Sequence, residues 1–171
     1  MKKMKFVLPF VLVASNLLAV GAQAAETNIT VTASVDSTLS LTQADGTAIP
    51  KSLEMTYIPG TGLSEYTLPT KLYTNDTTKN ILMRLSSTPS LVNSVNPSQT
   101  VPLTVSFGGN ALSASSDTTI NASNIVWDQN GGSPSTDLKI RQTNQAPITA
   151  AGQYTGNVGI VITQSAAAKS N

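Results

Sequence analysis

The chain has 171 residues with ten Lys or Arg, nine Asp or Glu, and neither histidine nor cysteine. The missing residue types remove the usual general base, the thiol nucleophile and the common zinc ligand sets. So even a charge balance suits neither a nucleic acid nor an anionic membrane.

The first two dozen residues read as an export signal. Lys2, Lys3 and Lys5 precede an apolar run from Phe6 to Val20, interrupted only by Pro9, Ser15 and Asn16. Ala22-Gln23-Ala24 then places small residues where a signal peptidase reads. Cleavage after Ala24 would remove residues 1–24 and leave 147 of the 171. A membrane anchor is the competing reading, but the run is short for a span of about 20 residues. Three basic residues leave with the signal, so the mature chain has seven against nine acids, a net charge of about −2. Its length suits one domain with a real core, and its lack of cysteine means that packing and backbone pairing must hold it together.

The next segment, 25–37, is the most informative. Ile29, Val31, Ala33 and Val35 alternate with Thr30, Thr32 and Ser34. Successive side chains of a strand point to opposite faces, so the four apolar residues line one side. Two readings fit this pattern: the first strand of the protein's own sandwich, or a strand lent to a neighbour's sheet by β-augmentation. Periodicity alone leaves both open.

Residues 38–165 continue with short alternating runs. They fall at Leu53, Met55 and Tyr57; at Tyr66, Leu68, Leu72 and Tyr73 around Pro69; and at Ile81, Met83 and Leu85. Others follow at Val101, Leu103, Val105 and Phe107, at Leu138 and Ile140, and at Tyr154, Gly156, Val158, Ile160 and Ile162. Turn signals separate them: Asp45-Gly46, Pro59-Gly60-Thr61-Gly62, Asn75-Asp76, Gly108-Gly109-Asn110 and Asn130-Gly131-Gly132-Ser133-Pro134. No helical period appears after the signal. The expected fold is all-β, an immunoglobulin-like β-sandwich of antiparallel strands. The small, polar end, residues 166–171, is expected to fray.

The run Asn28-Ile29-Thr30-Val31-Thr32-Ala33-Ser34-Val35-Asp36 resembles the mature N-terminus of the major pilins of class 5 fimbriae, the CFA/I-like family of the alternate chaperone–usher pathway. The resemblance continues in Leu41-Thr42-Gln43-Ala44-Asp45-Gly46, Tyr73-Thr74-Asn75-Asp76-Thr77-Thr78-Lys79, Val105-Ser106-Phe107-Gly108-Gly109 and Ala151-Gly152-Gln153-Tyr154-Thr155-Gly156. It implies an incomplete sandwich that lacks one strand and is completed by a donor strand from the neighbouring subunit, with Ile29, Val31, Ala33 and Val35 as the donor residues. It further implies a helical homopolymer of identical subunits, a periplasmic chaperone, an outer-membrane usher and a tip adhesin. Export would run through the periplasm to a fimbrium at the cell surface, with host-cell attachment as the biological role. One departure is Ser37, where members of this family often carry proline; a proline would stiffen the hinge after the donor strand.

The remaining candidates for chemistry are sparse. No motif gathers Asp45, Glu54, Glu65, Asp76, Asp117, Asp128 or Asp137 into a catalytic pair, and they read as turn formers or solvated charges. Neither catalysis nor a metal or cofactor is expected. Trp127 could stack on a sugar but more ordinarily anchors a core or interface. Lys139 and Arg141 could meet an acidic receptor; on a strand face they more ordinarily serve solubility or guard an edge. The Asn-x-Ser/Thr triplets at Asn28, Asn75 and Asn121 read as chance matches. Two alternatives follow: a shaft-level adhesin that binds a host glycan, or a free-standing secreted carbohydrate-binding sandwich.

Overall fold

The computed structural model describes residues 39–165. The export signal 1–24, the segment 25–37 with its four apolar residues, and the tail 166–171 lie outside the described residues.

Twelve strands and a single 3-10 turn make up the regular structure of the described residues. The larger sheet is antiparallel. It runs β1 (Leu39–Gln43), β4 (Tyr66–Thr74), β10 (Thr136–Gln142), β7 (Thr100–Phe107), β6 (Ser90–Asn93) and β11 (Tyr154–Thr155), in that spatial order. β8 (Asn110–Ala111) folds back on β7 through the Gly108-Gly109 turn. The smaller sheet has three strands, β12 (Ile160–Gln164), β5 (Ile81–Leu85) and β9 (Thr118–Ile120). β2 (Tyr57–Ile58) and β3 (Gly62–Leu63) form a separate hairpin around the expected Pro59–Gly62 turn.

The period-2 pattern explains the core. β4, β5, β7 and β10 each bury alternate residues, so two sheets can face one another with apolar side chains between them. Leu72, Ile81, Met83 and Val105 are at most 1% exposed. Pro69 sits in β4 without costing a ladder bond. Its carbonyl and its missing N–H both face the β1 side, where the ladder has ended at Gln43–Thr70 and Ala44 N–H alone donates to the Pro69 carbonyl, so the β10 side loses nothing. The fold is thus the all-β, immunoglobulin-like sandwich that the alternation predicts.

Three expectations change in detail. The run from Tyr154 to Ile162 is two strands rather than one, because β11 pairs with β6 in the larger sheet and β12 with β5 in the smaller. Gly156 and Gly159 carry the chain between them, passing close against Ser90 and Ser86, where a side chain would collide. Leu53 and Met55 belong to no strand; pairing begins only at Tyr57. Lys139 and Arg141 guard no edge, since β10 is flanked by β4 and β7.

Candidate functional site

One half of the sandwich is closed and the other is open. At the closed end the chain from β9 crosses under the core through Ala122–Asn124 to β10. Trp127 packs against the core there and its Nε1–H donates to Ala122 O at 3.3 Å. The aromatic is therefore the core anchor that its composition suggests. Asp128 orders the following turn by accepting from the N–H groups of Asn130 and Gly132, both at 2.8 Å. Those hydrogen bonds hold its carboxyl below the usual carboxylate range.

The open half is a groove of about 1120 Å³. Leu68, Leu103, Leu138 and Ile140, from the inner face of the larger sheet, lie along its floor. One wall is the strap between β1 and β2, with Ile49, Leu53 and Met55, and the start of β2 at Tyr57; the other is the chain around β11 and β12, with Ile148, Tyr154, Val158 and Ile160. These wall residues are half-buried or exposed, whereas the floor is buried.

The backbone of both walls is idle. Among the described residues, neither 49–55 nor 156–158 joins a ladder or makes a backbone–backbone hydrogen bond. Unpaired backbone beside an apolar trough is a template for another strand. The strap is nevertheless pinned at both ends. Thr42 bridges Ala48, and Gln43 Nε2 donates to Ala48 O at 2.9 Å. At the other end Gln142, itself buried, accepts from Leu63 N–H at 2.9 Å and donates to Ala146 O at 2.9 Å. Gln145 donates to Leu63 O at 3.0 Å. The groove is thus held open by fixed posts.

Ile29, Val31, Ala33 and Val35 lie outside the described residues, so the structure gives them no position relative to this groove. The acidic candidates are spread over the surface. Asp45 and Asp76 cap turns through Thr47 and Thr78. Glu65 pairs with Lys139 at 2.9 Å, and Asp117 with Arg84 at 3.6 Å. The Lys139 ammonium lowers the Glu65 carboxyl and is itself raised by it. No group of three metal-binding side chains occurs among the described residues. Buried Asn93 likewise donates to Ala151 O, on the other wall, at 3.1 Å, and sequence reasoning missed Gln142, Gln145 and Asn93 as posts. A buried amide that organises loops leaves no period or motif in the sequence.

Comparison with known proteins agrees with this architecture. Residues 25–163 match the family of the CS1 type fimbrial major subunit. The chain is 39% identical over 152 residues to a CFA/I fimbrial subunit of Escherichia coli O78:H11, covering 85% of this chain and 89% of that one. It is 35% identical over 175 residues to a CS1 fimbrial subunit of Escherichia coli, covering 95% and 99%. The solved CooA pilin from enterotoxigenic Escherichia coli superposes with a TM-score of 0.66 at 34% identity, over 75% of this chain and 88% of that one. A chain of a chaperone–tip adhesin complex of CFA/I fimbriae biogenesis shares the fold alone, with a TM-score of 0.55 at 18% identity, over 75% of this chain and 42% of that one. These relatives are structural fimbrial subunits, not enzymes, and the chain belongs to the CS1 type fimbrial major subunit family.

Proposed function

We propose that this fimbrial major subunit polymerises by donor-strand exchange, with residues 25–37 of one copy filling the groove of the next. The observation that carries the reading is a long apolar trough between two segments whose backbone is unpaired. A strand with Ile29, Val31, Ala33 and Val35 on one face has the matching character. Burying those four side chains contributes on the order of 5–8 kcal/mol before ordering costs. Roughly eight new backbone bonds would add ~0.5–1.5 kcal/mol each. Each copy is donor and acceptor at once, and such a heterologous contact propagates into a filament.

Before assembly a periplasmic chaperone would occupy the same groove, and an outer-membrane usher would exchange it for the next subunit. The filament would support attachment to host cells, led by a tip adhesin. A free-standing carbohydrate-binding sandwich is not favoured, because the relatives are fimbrial subunits. A chain beginning at Leu39 tests the joint. Its melting temperature should rise steeply on adding a peptide of residues 25–37, and Val31→Asp in the peptide should abolish the rise. A truncated domain that is equally stable with and without peptide would overturn donor-strand exchange.

A further inference from the structure

Two aliphatic side chains stand clear of the surface, Val95 at 83% and Val126 at 82% exposure. Single exposed apolar residues are ordinary. These two differ in being firmly mounted at opposite ends of the sandwich. Val95 donates its N–H to Asn93 Oδ1 at 2.8 Å, and Asn93 is 1% exposed. The same amide accepts from Asn96 N–H at 3.0 Å and donates to Ala151 O at 3.1 Å. Ser94 N–H donates to Gln153 O at 2.8 Å. Ala151 and Gln153 line the groove, so Val95 is fixed beside the groove's upper end.

Val126 belongs to the crossing under the closed end, between half-buried Ile125 and Trp127. Ala122 N–H donates to Asn80 Oδ1 at 3.0 Å, and Gly132 bridges Tyr73. Leu39 pairs with Thr74, the residue after Tyr73. Val126 therefore lies at the end where the chain enters β1.

On the donor-strand reading, the short tether between donor strand and body would bring these two ends together. Below the groove β1 meets β12, which closes that end. On that reading, a strand whose free tip meets the closed end leaves its attached body at the upper end. From Val35 to Leu39 is four residue steps, at most about 14 Å. The β1 end of the donor copy is thereby held against the upper end of the acceptor.

We infer, resting on the donor-strand reading, that Val126 of the donor copy packs against Val95 of the acceptor copy, making a second contact between successive subunits. The partner for each knob is another copy of this chain.

The absence of native cysteine allows a clean test. Filaments of the full chain carrying Val95→Cys and Val126→Cys together would be treated with a short bis-maleimide, which tolerates contacts outside disulfide geometry. After dissociation they should run as a covalent ladder, while each single variant stays monomeric. Normal filaments whose double variant remains monomeric would overturn the inference. Dimers from either single variant would overturn it as well, because like ends would then be meeting. The donor-strand reading fails separately: it falls if Val31→Asp chains still build filaments, whatever the cross-linking shows.

Discussion

Gly131 shows how one residue's backbone settles local structure. It has φ of +74°, and a Cβ there would run into Thr74 O, the end of β4 to which this turn is laced by the Thr74 N–H to Gly131 O bond. Gly60 has a similar φ of +79° but open space around it. Gly131→Ala should therefore destabilise by about 2–4 kcal/mol and Gly60→Ala by about 1 kcal/mol. Denaturant midpoints of the two variants would check the difference; equal losses would mean that φ alone matters. The charged residues act in the same local way. Asp45, Asp76 and Asp128 are lowered by turn hydrogen bonds, and Glu65 is lowered by Lys139. A carboxyl lowered by folding stabilises above its unfolded pKa, and that contribution is lost as pH falls through the folded value. The raised Lys139 acts oppositely, contributing fully below its unfolded value and losing its share only at strongly alkaline pH. Melting temperature should thus be flat through the neutral range and decline below about pH 4. A decline centred near pH 6 would contradict this account, since the chain has no histidine to titrate there.

Strands with a long clean alternation were legible in the residues themselves. β4, β5, β7 and β10 bury the alternate side chains that the pattern marks, because a buried face must be apolar at every second position. β9, with three residues and a single large apolar one at Ile120, carries too little pattern to be seen. The break between β11 and β12 was hidden for a different reason. Gly156 and Val158 keep the alternation going, and only the change of pairing partner from β6 to β5 divides the run. The strap is the instructive case. Leu53, Met55 and Tyr57 alternate like a strand, yet 49–55 pairs with nothing among the described residues. Its pattern fits a strand whose neighbour belongs to another molecule, which a sequence cannot distinguish from an ordinary one. The amides of 51–55 and 156–158 should accordingly exchange quickly in the truncated domain and become protected in filaments, while those of β5 and β7 stay protected in both. Hydrogen-exchange mass spectrometry would read this directly. Strap amides that remain fast in filaments would mean that no strand pairs there.

At the scale of the whole molecule, the ends of the described chain, Leu39 and Ser165, and the groove between them would set the polarity of a donor-strand assembly. β12 runs from Ile160, in the groove wall, to Gln164, which donates to Thr74 Oγ1 at 2.7 Å and so lies at the closed end. If the donor strand's free tip also lies at the closed end, a copy of residues 25–37 joined after Ser165 has only a short distance to travel. It can then run back up the groove antiparallel to β12. A chain starting at Leu39, with residues 166–171 replaced by a four-residue Gly-Ser linker and 25–37, should fill its own groove. It should be a monomer that melts well above the truncated domain and does not join filaments. The opposite orientation would need the linker to span the length of β4 first. Nine residues at about 3.3 Å each come to roughly 30 Å, more than twice the ~14 Å reach of four linker residues. Analytical ultracentrifugation and thermal melting decide between the two. A stable monomer with the short linker fixes the donor strand antiparallel to β12, whereas a chain that gains stability only with a linker long enough for the full span would reverse the polarity of the filament and separate Val95 from Val126.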